Sequence, residues 1–520
     1  MSLTKRILFG AAASWFSRGV TIVLGLVLLP VLFRTLPKEE LGVWLLLGQS
    51  WATLGILDLG FGVTITRRIA FAKGKSGSDP SAPLTASSLA EIADLLATGR
   101  RIYRVLALAS FVLAFVLGAF YLNTLELQEV QSTSTWIAWG LLCLSFSLTT
   151  LAAPWACLLQ GVGYVGWDAI LTSFVSALTL LAQIVAALLG GGLISLAAIA
   201  VAGALAQRLV FLSFARKKRP ELFRIKGTWQ TKVYQSIKPL ALTAWLTSLG
   251  TFLVLNTDQF FVASIAGTTE LPAYRAAYLI LLNLNMVAVT MASASAVFVS
   301  HLWQTGDKEQ VHRIVTRNIR LGLFIMAAGG ACVLGLGGTF FELWLGSGSF
   351  IGYPILTIFS VLLLLEAQCY IITAASRATE QETFGICTMS AGLLKLGLSW
   401  ALGKQMGLLG VALGTLLAQL ATCHWFMVLR GLQRLQISVL EHVKKVLLPV
   451  ALLFAFTLGT VFASRLMLGA AANWQIVLTG IALAAILLST VFWCEVLDRS
   501  QKNRLLGYAG IGKKSAPPQS

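Results

Sequence analysis

Charge is scarce in this chain: Asp, Glu, Lys and Arg together make up only 12% of its 520 residues. A soluble globular protein of this length carries about twice that share, so a water-soluble fold is excluded at the outset. No Gly-x-x-x-x-Gly-Lys-Ser/Thr loop occurs, which removes phosphate-loop ATP hydrolysis from consideration. The seven cysteines, Cys143, Cys157, Cys332, Cys369, Cys387, Cys423 and Cys494, are scattered through apolar stretches, so neither a disulfide framework nor a zinc centre is expected. His301, His312, His424 and His442 are equally dispersed, and no metal site is expected from them. No nucleophile and base stand in a recognisable constellation. The first outer loop, 34–40, is too short to house a sugar donor for an integral glycosyltransferase, so the chain is not expected to be an enzyme. A cleavable signal pattern is also missing, because the first apolar run is too long and leads into a second.

What the chain has in abundance is hydrocarbon. It is 57% hydrophobic with a mean hydropathy of +0.81. Apolar stretches of about 20 residues, the length a helix needs to cross a bilayer, recur as far as Leu497. Hydropathy therefore predicts an all-α, polytopic membrane protein with about fourteen transmembrane helices, from 7–33 and 40–66 to 446–466 and 474–496. They must be helices because backbone groups in lipid have to be bonded within the segment.

The net charge of +18 does not signal nucleic-acid binding, because the cations are sorted by side. Lys5, Arg6, Arg67, Arg68, Lys73, Lys75, Arg100, Arg101, Arg104, the stretch Arg216 to Lys232, Arg313, Arg317, Arg430, Lys444, Lys445 and the C-terminal tail fall on one face of the predicted topology. This asymmetry puts both termini in the cytoplasm and requires an even number of spans.

The first two spans and the seventh and eighth share one plan: helix, short outer loop, helix, basic inner connection. Repeats of this kind imply two pseudo-symmetric six-helix lobes with substrate between them. The expected divisions are an N-terminal lobe at 1–215, a basic cytoplasmic linker at 216–238, a C-terminal lobe at 239–430, two additional helices within 431–497 and a tail at 498–520. On the longest inner connection, Ser88-Leu89-Ala90-Glu91 followed by Ile92, Leu95 and Leu96 reads as a capping box. It predicts either a short amphipathic helix on the membrane surface or simply an ordered linker.

Against this apolar background, a few residues stand out. Arg18 lies near the middle of the first span, and Arg275 and Lys395 lie within later ones. A cation at a helix centre costs ~2.5–3.5 kcal/mol on insertion scales, so such residues tend to face a protein interior or a wet cavity where an anion can meet them. Trp44, Gly48, Trp51, Gly55, Asp58 and Gly62 recur at helical spacing in the second span, a stripe that reads either as a close-packing face or as a polar lining. Asp58 is a carboxylate for Arg18 to pair with, unless Arg18 meets an anionic group instead. Arg275, Tyr278 and Asn285 share a face of the eighth span, although Arg275 is close enough to its end to snorkel. Lys395 and Glu366 fall at similar depth on adjacent spans and are expected to neutralise each other, with a proton or sodium ion competing for Glu366 as the alternative. Asp258 is expected to be solvated or helix-terminal.

Lys38-Glu39-Glu40-Leu41-Gly42-Val43-Trp44, then Leu57-Asp58-Leu59-Gly60-Phe61-Gly62 followed by Arg67-Arg68-Ile69-Ala70, resemble the opening of the bacterial polysaccharide and oligosaccharide flippases. Asn256-Thr257-Asp258-Gln259-Phe260-Phe261 and Thr305-Gly306-Asp307 are similar to that family's second-lobe pattern, whereas His301-Leu302-Trp303 departs from it. The family belongs to the multidrug/oligosaccharidyl-lipid/polysaccharide exporter superfamily. The resemblance implies alternating access and movement of a polyprenyl-diphosphate-linked glycan to the outer leaflet of the bacterial inner membrane. It further implies that Arg18 and Arg275, and after them Lys395, hold the diphosphate. From the residues themselves, Trp51 suits a sugar ring by stacking, Asn285 joins the substrate-binding candidates, and Asp58 and Glu366 read as coupling or structural carboxylates. Membrane lipids and other polysaccharide-assembly proteins, a glycan polymerase among them, are the implied partners. No cofactor is implied beyond a coupling H+ or Na+. A multidrug/cation antiporter and a peptidoglycan lipid-precursor flippase are the alternatives.

Overall fold

The computed structural model describes residues 3–496 apart from 55–57, 59–60, 77–82, 125–131, 232–233, 236–244, 246–248, 305–306, 379–383 and 470–471. The first residues of the span expected at 239–263, and the tail 498–520, lie outside the described residues. Among the described residues there is no strand, and eleven helices are long and apolar enough to cross a membrane. Two shorter apolar stretches, Gly19–Thr35 within the first helix and Leu249–Ile265, fall where further spans were expected.

Contacts gather the chain into two compact units. The first comprises Met1–Ala276 with Phe384–Gln419 and the second Ala277–Thr383 with Leu420–Ser520. In the first unit, α1 (Leu3–Thr35) packs on α6 (Val165–Leu188), and α5 (Ser132–Val162) packs on α7 (Leu193–Lys218). The helix α2 (Lys38–Leu54) lies among them, its Val43 and Leu47 sharing a core with Trp139, Leu142 and Ala197. The longest helix is α4 (Ala86–Leu122), which presents Val105, Leu108, Val112, Val116, Leu117 and Phe120 outward. So long an apolar stripe is suited to lipid and unsuited to water.

Within the span predicted at 40–66, α2 is described as far as Leu54 and α3 (Phe61–Gly74) beyond it, with 55–57 and 59–60 outside the described residues. One sequence expectation changes here. The capping signal around Ser88 does mark a helix start, but the cap is Thr85, whose hydroxyl accepts from the Ser88 amide. Glu91 instead meets Lys75 at 2.6 Å. The result is no separate surface helix but the first turns of α4, whose 37 residues span ~55 Å against a hydrocarbon thickness of ~30 Å.

That extension holds part of the predicted linker. The Asp94 carboxylate accepts from the Thr228 amide at 2.7 Å and from the Gln230 side chain at 3.0 Å, and Thr98 accepts from the Gln230 amide. Trp155 stacks on Phe223 at 5.3 Å, and the Arg101 guanidinium lies 5.2 Å from the Trp229 ring centre. The segment 219–230 is thus a packed part of the first unit.

After α8 (Glu221–Arg224), residues 249–256 form α9 and Asp258–Ile265 form α10. The helix α11 (Leu271–Gln304) follows; α15 (Gly385–Met406) and α16 (Leu408–Ala421) come much later in the chain. In the second unit, α12 (Lys308–Leu336) packs on α14 (Tyr353–Ala378), with α13 (Gly338–Leu345) between them in sequence. Beyond α17 (Cys423–Arg434) and α18 (Val439–His442) come α19 (Leu448–Met467) and α20 (Asn473–Val491). These last two share a core with α12 through Leu336, Val461, Ile476 and Val477.

The approach of α16 to α15 is close enough to require glycine. A Cβ at Gly414 would come within 2.6 Å of the Ser399 backbone nitrogen, whereas Gly397, on an open side of α15, meets nothing within 4 Å. Overpacking of this kind costs ~1–3 kcal/mol. Gly414→Val is therefore expected to lower the thermal unfolding midpoint of the purified protein measurably, while Gly397→Val leaves it nearly unchanged. Equal midpoints for the two variants would contradict so tight a contact.

Candidate functional site

Asn256, Thr257, Asp258 and Gln259 are four consecutive polar residues in an otherwise apolar segment, and the helix is interrupted among them, between α9 and α10. An interruption in lipid is tolerated only where other groups take up the backbone. Here the Thr257 hydroxyl donates to the Leu253 carbonyl at 2.7 Å. The Gln49 amide, from α2, donates to the Asn256 carbonyl at 3.0 Å, and Gln259 donates back to the Gln49 side-chain oxygen at 2.8 Å.

The first residue of α10 is Asp258, and its carboxylate gathers side chains from three other helices. Lys395 of α15 donates to Asp258 Oδ1 at 2.6 Å. Thr415 of α16 donates to the same oxygen at 2.8 Å, and Tyr274 of α11 donates to Oδ2 at 2.9 Å. The Lys395 ammonium also donates to the Thr257 hydroxyl, and it lies 5.3 Å from the centre of the Phe261 ring. Lys395 is wholly enclosed, at 0% exposure, and Thr415 and Tyr274 are almost so. A buried ammonium is tolerated when its donors are met, and here a carboxylate, a hydroxyl and a ring face surround it. The start of α10 adds a favourable dipole for the carboxylate.

This corrects two sequence readings. The carboxylate partner of Lys395 is Asp258, not Glu366. Of the two readings of Asp258 the helix-terminal one holds, since it opens α10, and it is buried at 8% exposure rather than solvated. Lys395 is committed to that partner and closed off, so it is not offered to an anionic ligand in this structure. The signal for Asp258 was present in the sequence: a run of four polar residues inside a predicted span.

A second carboxylate serves a helix start. Asp58 accepts from the Tyr103 hydroxyl of α4 at 2.5 Å and from the Gly62 amide, in the first turn of α3, at 3.2 Å. The first amides of a helix have no partner within it, and a carboxylate there satisfies one and meets the positive end of the dipole. Tyr103, buried at 1% exposure, was missed by the sequence reading because it stood at the edge of a predicted span amid arginines.

The remaining candidates are spread out. Arg18 is on α1 and Trp51 on α2, and their side chains lie outside what is described. Arg275 follows Tyr274 on α11 and is half-buried. Asn285, further along α11, is buried and donates to the Leu363 carbonyl of α14 at 2.7 Å, which gives it a packing role. Glu366 is half-buried on α14.

Residues 8–298, more than half of the chain, match the family described as "Polysaccharide biosynthesis protein", and the chain belongs to that family. It is a multi-pass membrane protein with an all-α fold. One curated relative is the uncharacterized membrane protein EpsK of Bacillus subtilis (strain 168), 27% identical over 212 residues; the match spans 40% of this chain and 38% of that protein. Among solved structures, the lipid II flippase MurJ in an inward closed conformation is similar with a TM-score of 0.70 and 16% identity, over 94% of this chain and 99% of that one. An inward-facing multidrug resistance MATE family transporter of the MOP superfamily is similar with a TM-score of 0.65 and 15% identity, over 82% of this chain and 98% of that one. At these identities the likeness to both structures is one of fold.

Removing one partner of a buried ion pair typically costs ~3–5 kcal/mol, whereas removing both charges is often nearly neutral. Lys395→Met is accordingly expected to lower thermal stability strongly, and adding Asp258→Asn to recover most of the loss. If the double variant is no more stable than Lys395→Met, the pair does not have the energetic role given to it here.

Proposed function

We propose that the protein is a flippase. It carries polyprenyl-diphosphate-linked oligosaccharide units from the cytoplasmic to the outer leaflet of the plasma membrane, by alternating access between two six-helix lobes, 1–215 and 239–430. The observation that carries this reading is membership of the polysaccharide biosynthesis family in a chain that spans the membrane many times. The fold likeness to a lipid II flippase supports a lipid-linked cargo. The same likeness favours a second reading, a peptidoglycan lipid-precursor flippase, whose cargo shares the diphosphate chemistry.

In this proposal the diphosphate is held by Arg18 and Arg275, because guanidinium groups offer a planar fork of donors that fits phosphate oxygens. Lys395 is left out, since its ammonium is taken by Asp258. The prenyl tail stays in lipid while the head group crosses, and Trp51 offers a flat face to a sugar ring. Both termini are assigned to the cytoplasm from the sorting of lysine and arginine. A multidrug antiporter for lipophilic cations would favour free carboxylates in its cavity, and Asp258 is neutralised from within.

A hydrogen bond to a charged group is worth ~1.5–3 kcal/mol, so Arg18→Ala is expected to slow transport ~10- to 100-fold. The test is surface polysaccharide display in a deletion strain carrying the wild type or Arg18→Ala at matched membrane levels. Loss of display with build-up of the diphosphate-linked unit inside supports the proposal. Normal display in the deletion strain itself would overturn it. A growth defect with accumulated peptidoglycan precursor would favour the second reading.

A further inference from the structure

We infer that the cage around Lys395 is a monovalent-cation site filled by the chain's own ammonium, and that removing the lysine side chain turns it into a site for free Na+. The observation is the set of groups that meet the ammonium. Asp258 Oδ1 and the Thr257 hydroxyl both accept from Lys395, and Phe261 turns its ring face toward it. Carboxylate and hydroxyl oxygens are the ligands that hard cations take. An aromatic face attracts a cation of any kind.

The cage is held in shape by bonds that do not involve the lysine. Tyr274 and Thr415 each donate to Asp258, which fixes the orientation of the carboxylate. Thr257 donates its own proton to the Leu253 carbonyl, so its lone pairs point away from that bond and toward the ammonium. Truncating the lysine to alanine therefore leaves a pre-oriented carboxylate and hydroxyl facing the space of three methylenes and an ammonium. That space is polar at one end and large enough for an ion with water.

The consequence for the native protein is that this carboxylate takes up no ion from solution. An intramembrane carboxylate ordinarily needs a proton or a metal cation as company, which makes it a candidate for ion coupling. In this chain the company is covalently attached. Association of α10, α11, α15 and α16 around Asp258 is then independent of the external Na+ concentration. Stability and ion binding at this cage do not depend on the cargo the protein carries.

The test compares the purified full-length wild type, Lys395→Ala and Asp258→Asn/Lys395→Ala by thermal unfolding in detergent. Choline chloride is replaced stepwise by NaCl at constant ionic strength, and a parallel series uses methylammonium chloride. The wild type is expected to show no difference between salts. Lys395→Ala is expected to have a lower midpoint in choline and to gain roughly 2–3 °C at a hundredfold excess of Na+ over its dissociation constant, rising with the logarithm of the Na+ concentration. Methylammonium, the lysine head group without its tether, is expected to rescue the same variant. The double variant, lacking the carboxylate charge, is expected to be indifferent to both. Should Lys395→Ala be recovered folded only when Na+ is present throughout purification, that too supports the site. A Lys395→Ala midpoint that is flat in Na+ and in methylammonium overturns it, as does a wild-type response matching that of the variant. Recovery of the double variant but of Lys395→Ala in neither salt overturns it as well.

Discussion

A hydrocarbon interior offers no hydrogen bonds and no solvation for charge, and both facts are visible throughout this chain. The first turns nearly every described segment into helix, because only there can each amide find a carbonyl without leaving the segment. The second requires that any charge or any break in a helix arrive with its partner. Between α9 and α10, Gln49 of α2 takes the Asn256 carbonyl that the interruption releases. At the start of α3, Asp58 takes the Gly62 amide and Tyr103 satisfies the carboxylate in turn. The interruption between α9 and α10 is no defect in a span; it is where a polar side chain from another helix is received.

The ion pair of Lys395 and Asp258 is the extreme instance. Neither charge is tolerable in this setting alone, yet together with Thr257, Thr415 and Tyr274 they form a closed polar knot. Segments distant in the chain are joined there, since α10 and α11 come from one stretch and α15 and α16 from another. The close approach of α15 and α16 at Gly414 brings Thr415 alongside, so backbone packing and charge pairing depend on each other. An ion pair of this kind adds little net stability compared with a well-packed apolar core; what it adds is intolerance of any arrangement that separates the two charges. It therefore specifies which helices must be neighbours.

How much of this was legible in the sequence depended on the range of the interaction. Spans were legible, because hydropathy is summed over consecutive residues and lipid selects for that sum. The start of α4 was nearly legible: the residues around Ser88 were recognised as a helix start, and the true cap was three positions earlier, where Thr85 is an equally good acceptor. Its continuity into the membrane was hidden by Arg100, Arg101 and Arg104, which end a hydropathy window but not a helix. The partner of Lys395 was not legible at all. Depth along a span offered Glu366 and Asp258 as carboxylates, and counting from span ends placed Asp258 too near the surface. Only the assembled helices distinguish a carboxylate at a boundary from one enclosed by four helices.

The tethering of the Lys395 ammonium bears on how a carrier of this fold could be driven. A ligand or ion shifts a conformational equilibrium only by the difference in its affinity for the two states. A tethered ammonium is not exchanged for the Na+ of either side, so it can bias which state is stable but draws no energy from a Na+ gradient. With Asp258 neutralised in this way, Na+-driven direction in the proposed transport cycle would have to arise at another group, and direction could also come from the cargo itself. A diphosphate-linked glycan that is consumed after it crosses would supply that direction without any ion. In that case the intramembrane arginines would serve binding alone, and the lysine would serve to keep a buried carboxylate from responding to the ions on either side.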